Sequence, residues 1–574
     1  MTGPDIDRQW WKEAVIYQVY PRSFNDTDGN GVGDLPGVVE KMDYLDDLGV
    51  DVVWLNPVYE SPGADNGYDI ADYRAIDDEF GSMSDWEELL EGLHDRDIKL
   101  IMDLVVNHTS DEHEWFQESR KSKDNEYRDY YIWREGRKVD REGGPYGPSG
   151  EAPPNNWESF FGGPAWSYDE ETGEWYLHIF DQKQPDLNWE NPAVREEIYD
   201  MMEWWLEKGI DGFRMDVINL LSKPEGLPDS DDEDALVVGA DHFMNGPHIH
   251  DYLSEMHEKV IEKYDAVTVG EMAAIDAEQA RSYAEDGMSM AFTFDHLRLD
   301  FGPNGRWSHG TFGLPELKRA MSYWQEGLGD QGWNAIFFGN HDEPRILSRF
   351  GNDGVYRAES AKLLGTLLMT LQGTPYVFQG DELGMTNYPF ESLDEVRDVD
   401  TLKNVRLARE DGRFSDEAEL LDVVRRRSRD NARTPMQWNT DEYAGFTDGE
   451  PWIPVNPNYE VVNVEAERDD YDSVWHYYRG LVDLRHDCEV LVYGDYDLFF
   501  PDHDDLWVFT RTLGDEQALV ALNVSDTSTQ FEPPASVAGA DADLLAANYD
   551  DIDDVDSVDP TDLQPWEARV YKLA

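Results

Sequence analysis

KLIMDLVVNH, residues 99–108, reads as a strand whose polar residues gather toward its C-terminal end. Its apolar residues are nearly continuous instead of alternating, as in a strand covered on both faces by helices. Runs of the same kind occupy 14–21, 50–58, 209–217, 266–272, 289–294, 333–340 and 373–381. Amphipathic stretches such as 84–96, 191–208 and 248–263 lie between them. With 99–107 the runs number eight, and eight strands with helical crossovers predict an α/β fold, a (β/α)8 TIM barrel.

Two departures from that rhythm set the domain organisation. About 100 residues separate Asn107 from Gly209, and many of them are Gly, Pro and Trp (GGPYGPSGEAPPNNW, FGGPAW). This predicts a subdomain inserted after the third strand, at 108–178, with the barrel occupying 1–107 and 179–490. After about Val490 come short β-like runs, LWVFTRT, ALVALNV and ARVYKLA, separated by acidic loops. They predict a C-terminal all-β domain, a sandwich, over 491–574. The acidic stretches PDSDDED (228–234) and DDIDDVDSVD (550–559) read as solvated loops.

Composition narrows the function classes. In 574 residues, 13% are aromatic, which excludes disorder for most of the chain. There are 123 Asp and Glu against 47 Lys and Arg, a formal net charge of −76. A polyanion of this size excludes nucleic acid and anionic membrane as partners. Self-repulsion on this scale is tolerated where salt screens it, so a salt-saturated cell interior, that of a halophile, is expected. One cysteine, Cys488, excludes a disulfide framework and a zinc–cysteine cluster. No apolar run reaches the ~18 residues of a membrane helix, and no basic-then-apolar leader opens the sequence. The expectation is a soluble cytoplasmic protein, a monomer or a small homo-oligomer.

In such a barrel the chemistry sits at the C-terminal ends of the strands. The third strand ends near Asn107 and His108, the fourth near Arg214 and Asp216, the fifth at Glu271, and the seventh near Asn340, His341, Asp342 and Glu343. Converging carboxylates without a thiolate or zinc ligand set suit glycoside hydrolysis, where one carboxyl is a nucleophile and the other a proton donor. Arg214 and Asp216 are two apart, so their side chains leave a strand on one side, and the guanidinium is expected to keep Asp216 ionised. Glu271, among like charges, is the natural acid.

These segments, DLVVNH, GFRMD, the glutamate of VGEM, and NHD, resemble in content and order the conserved regions of the α-amylase family of glycoside hydrolases. QPDLN at 184–188, HEWFQESR at 113–120 and RDNARTPMQW at 429–438 resemble its oligo-1,6-glucosidase, isomaltase and α-glucosidase branch. The resemblance implies an exo-acting, retaining α-glucosidase that takes small α-glucosides. It implies Asp216 as nucleophile, Glu271 as acid/base, and Asp342 on the 2- and 3-hydroxyls of the sugar. His108 and His341 would bind the same ring. Asp65, paired with Arg429, would bind its 4-hydroxyl, and Tyr68 would stack beneath it. Phe161, Phe180 and Gln184 would complete a closed end.

The loop Asp26-Thr-Asp28-Gly-Asn30-Gly-Val32-Gly-Asp34 places oxygen donors at alternate positions, as a calcium loop does. The glutamate an EF-hand carries at position twelve is absent, since Gly37 stands there. In the resembling branch Asp26, Asp28, Asn30, Asp34 and the Val32 carbonyl would hold a structural calcium, or magnesium. Without metal the same pattern makes a surface loop of Asx turns. Val217, after the nucleophile, is the residue that in this branch accompanies α-1,6 cleavage, where alanine or threonine accompanies α-1,4. Glu343 replaces a glutamine common among relatives, and Ala273 and Ala274 replace polar residues found in some. Two other readings stand beside the hydrolase. One is a sucrose isomerase or transglucosidase, whose loop signature Arg298-Leu-Asp300 begins but Phe301 breaks. The other is a catalytically inactive barrel-type binding subunit.

Overall fold

The computed structural model describes Ile6 and residues 8–138, 150–232, 236–302, 305–414, 416–552 and 556–574. Eight parallel strands close a barrel: β1 Ile16–Val19, β2 Val52–Leu55, β3 Lys99–Leu104, β4 Gly212–Met215, β5 Val267–Glu271, β6 Met290–Phe292, β7 Asn334–Ile336 and β8 Thr374–Phe378. Each expected run contains one of them. The strands are shorter than the runs, because the last residues of each run leave the ladder to form the loops above the barrel. Every residue of β1, β2 and β4 is buried, which is why these runs are nearly continuous in apolar residues, with Gln18 and Arg214 the polar exceptions within these strands. Trp54, Phe292 and Tyr376 fill the upper barrel, with ring centroids 4.6 Å apart for Phe292 and Tyr376 and 5.7 Å for Trp54 and Phe292. They form a floor on which a site can be built.

Register decides which side chains meet. Arg214 on β4 is level with Asp103 on β3 and with Val269 on β5. The crossover helices begin and end where their caps allow. Met83–His94 opens on a Ser82–Asp85 capping box, and Pro192–Lys208 opens on the Asn191 side chain and stops at Gly209.

Between β3 and β4 lies a three-stranded antiparallel sheet of Trp133–Arg134, Glu174–Leu177 and Trp166–Asp169, followed in the chain by helix Pro192–Lys208. Part of the Gly- and Pro-rich stretch, 139–149, lies outside the described residues, as do 233–235 and 553–555 within or beside the acidic stretches. The chain then runs through helices Val474–Asp487 and Glu489–Tyr493 into a five-stranded antiparallel sheet that starts at Asp495. A two-stranded sheet, Thr529–Phe531 with Thr561–Leu563, packs Phe531 and Leu563 onto Leu506, Val508 and Leu519 of the larger one. The C-terminal region is thus an antiparallel β-sheet domain.

Candidate active site

A cavity of about 940 Å³ opens above the C-terminal ends of the barrel strands. All the expected catalytic and substrate residues line it except Arg214 and His341, which are buried beneath. Phe160, Leu236, Val237, Met244, Ala273, Phe301, Arg306 and Trp307 complete its walls.

Arg214 organises the centre. One terminal nitrogen donates to Asp103 and to Asp216, both at 2.6 Å, and the other donates to Glu271 at 2.6 Å. One planar group therefore spaces Asp216 and Glu271. Burial is the main influence on both carboxyls, and it pushes Asp216 up to about 6 and Glu271 up to about 7. Arg214 opposes the rise at each, and Asp216 and Asp342 add to it at Glu271. The expectation that like charges set the acidity of Glu271 is thus corrected: desolvation leads and like charge follows. Arg214 orients Asp216 as expected, but burial keeps the carboxyl from being a strong acid. Asp103 lies beneath them, takes the Trp54 indole N–H at 2.7 Å, and is likewise pushed up to about 6 by burial.

Asp342 is held differently. Burial would raise it, but His341, at the low pH where its ring is protonated, and the guanidiniums of Arg429 and Arg433 outweigh that and take it below the usual carboxylate range. Arg433 donates to it at 2.6 Å and Arg429 at 3.2 Å. His341 stacks flat on Tyr68, 5.2 Å between centroids, and burial lowers it to about 3, so it is neutral. Its Nδ1 faces the amides of Gln18 at 2.7 Å and Asn56 at 3.3 Å, which puts the ring proton on Nε2. Nε2 has no hydrogen-bond partner among the described residues and lies 3.4 Å from an Asp342 oxygen.

Arg429 also closes one end of the cavity. It pairs with Asp65 at 3.0 Å, as the resemblance implies, and its guanidinium lies 5.2 Å from the Phe161 ring. Gln184 donates to Asp65 at 3.3 Å, and Phe180 packs on His108 at 5.2 Å. His108 lines the cavity too, and its Nε2 faces the Tyr68 carbonyl at 3.1 Å and the Gln184 amide at 3.2 Å. Val217 lies beyond the end of β4. Its backbone is left-handed, φ 39 and ψ 40, so strand alternation does not set its side-chain direction. Its N–H donates to Glu271 at 3.2 Å. Such a conformation is strained for a β-branched residue. Among the residues that sequence reasoning passed over, Arg433 stands four after Arg429 and so repeats the helical spacing. Asp398, 2.6 Å from Arg429, carries no local signal at all.

A profile of the alpha-amylase catalytic domain matches residues 18–494. The chain belongs to the α-amylase family. It is therefore a glycoside hydrolase, and its carboxylates occupy the strand ends where this family carries its chemistry. An oligo-1,6-glucosidase of Parageobacillus thermoglucosidasius is 52% identical, over 99% of this chain and 100% of that one. Among solved structures, an isomaltulose synthase from Klebsiella sp. LX3 superposes with a TM-score of 0.94 at 42% identity, covering 99% and 100% of the two chains. The trehalose-6-phosphate hydrolase of Bacillus licheniformis gives 0.91 at 46%, with the same coverage. These α-amylase-family relatives share the whole length of the chain.

Apart from the cavity, the carboxylates of Asp26, Asp28 and Asp34 come within 4.8 Å of one another. Among the described residues no Lys or Arg pairs with any of them. The donor set is all oxygen and suits a hard cation. Asn30 turns its side chain to the loop, donating to Asp28 at 3.2 Å. Gly31 has φ +90, and a Cβ there would meet the Glu450 carbonyl oxygen at 1.8 Å, so only glycine fits this turn.

Proposed function

We propose that the chain is an exo-acting, retaining α-glucosidase that removes terminal glucose from short α-glucosides, with α-1,6 linkages favoured. The observation that carries this reading is Arg214 gripping Asp216 and Glu271 at once, with Glu271 held the more protonated of the two. Asp216 attacks the anomeric carbon while Glu271 gives its proton to the departing oxygen. The glucosyl–Asp216 ester forms, and Glu271, now a base, takes a proton from water that cleaves it. Arg214 follows the charge as it shifts between the two carboxylates. Asp342 and the Nε2 proton of His341 are placed to hold ring hydroxyls, and Asp65 with Arg429 and Tyr68 to receive a chain terminus.

Asp26, Asp28 and Asp34, with Asn30 and the Val32 carbonyl, would hold calcium, or magnesium, as a brace remote from the cavity. No helix among the described residues is long and apolar enough to cross a membrane; the proposed setting is the cytoplasm, with small sugars as substrates.

Linkage choice is assigned to Val217 at the leaving side. The extra rotatable bond of an α-1,6 linkage lets the second ring swing clear of its branched side chain. The test is kcat/KM for isomaltose, maltose and sucrose, with products identified, in the parent and in Val217→Thr. Isomaltose should lead in the parent, and sucrose should yield glucose and fructose instead of an isomer. The substitution should raise maltose relative to isomaltose about tenfold. A ratio within a factor of two of the parent would place linkage choice elsewhere, with Ala273, Ala274 and Glu343 next.

A further inference from the structure

Asp65, Tyr68 and Gln184 make the closed end of the cavity, and Asp216 and Glu271 its centre. The walls that remain include Glu343, Arg306 and Trp307, and on the α-glucosidase reading they border the part of a substrate that leaves. Glu343 follows Asp342 directly, yet it turns into a cluster of arginines. It accepts from Arg349 at 2.6 Å and lies 3.8 Å from Arg306. Arg349 is buried and also grips Asp300 through two nitrogens, at 2.8 and 3.1 Å. Asp300 takes a further contact from Arg427 at 2.8 Å. Arg306, Arg349 and Arg427 thus gather around Asp300 and Glu343, with Asp400 also facing Arg306. Glu343 is a counter-ion within this cluster and not one more acidic surface residue.

The connectivity shows what the cluster holds. Arg306 stands on the strand Gly305–His309, which pairs with Phe301–Gly302 immediately after Asp300. Arg306 reaches across to the backbone carbonyl of Asp342 at 2.6 Å. The paired strands are therefore tied at Asp300 to Arg349 and Arg427, and at Arg306 to the Asp342 turn. Glu343 is the anion that both ties share. The Glu343–Arg349 contact is a close charge-assisted hydrogen bond and the Glu343–Arg306 contact a longer ion pair, and a buried guanidinium left short of its anion is costly.

We propose that Glu343 is a positioning residue: through Arg349 and Arg306 it fixes the strand 305–309 as the wall against which the leaving sugar is held, without touching the bond that breaks. This rests on the α-glucosidase reading of the cavity. The experiment compares isomaltose with α-glucosyl fluoride, whose leaving group is too small to reach that wall, in the intact protein and in Glu343→Gln and Arg306→Lys. The expected result is a loss of about tenfold in the isomaltose-to-fluoride ratio of kcat/KM in both variants, carried by KM for isomaltose. If Glu343→Gln does not fold, Arg306→Lys alone decides. Equal losses on both substrates would mean that Glu343 acts on the bond-breaking groups, and an unchanged ratio would mean that the wall is held without it; either overturns the proposal. A parent that hydrolyses neither substrate would overturn the glucosidase reading itself, and the proposal with it.

Discussion

Arg214 and Asp216 could be placed together from sequence because a spacing of two on a strand is a geometric statement. The same reasoning could not see that Arg214 also holds Asp103 and Glu271, since those contacts depend on the register of β3, β4 and β5. It also ranked the causes of acidity wrongly, because burial is a property of the closed barrel and not of neighbouring letters. The resemblance singles out Val217, but nothing in the sequence marks its left-handed backbone. The chain leaves β4 at Met215, and the turn over the cavity imposes φ 39 two residues later. The pKa order gives a rate prediction. Asp216 must be ionised, so activity falls as pH drops through about 6. Glu271 must be protonated, so activity falls as pH rises through about 7. The two titrate as a pair through Arg214, and the profile of kcat/KM should be a narrow bell whose alkaline limb disappears in Glu271→Gln. A variant that keeps the parent's alkaline limb would remove Glu271 from the role of acid.

The strands were the most legible elements, since burial on both faces leaves an apolar run that little else imitates. Their ends were overestimated because the same runs continue into loops that bury their side chains around the cavity. The pair Arg429 and Arg433 shows the limit for helices. Their common face follows from a spacing of four, but the side chain they share, Asp342, arrives from β7, nearly a hundred residues earlier. The loop Asp26–Asp34 was legible for the opposite reason, because its donors are contiguous and its glycines mark the turn. Replacing Asp26 and Asp28 by Ala should lower the melting temperature by about 2–4 °C in a chain of this size. A chelator should do the same to the parent and nothing further to the variant, with kcat nearly unchanged in each case. A parent whose melting ignores both chelator and added calcium would leave the loop as a set of Asx turns.

At the scale of the whole molecule, the resemblance in sequence and the closed barrel agree over essentially the full chain. The net charge is a separate message, written on the surface and silent about chemistry. Charges interact over about 10 Å at 0.1 M salt and about 3 Å at 1 M. With −76 spread over one fold, dialysis from molar salt into dilute buffer should lower the melting temperature and the activity together. Equal stability in both buffers would mean that the carboxylates are spaced well enough to need no screening. What the barrel, the inserted sheet and the closed cavity deliver together is one stereochemical outcome, because Asp216 and Glu271 come from adjacent strands and are gripped by one guanidinium. The decisive measurement is NMR of the first glucose released from isomaltose, before mutarotation. A double displacement at Asp216 predicts α-glucose, whereas β-glucose as the first product would contradict the nucleophile, the acid/base and the mechanism at once.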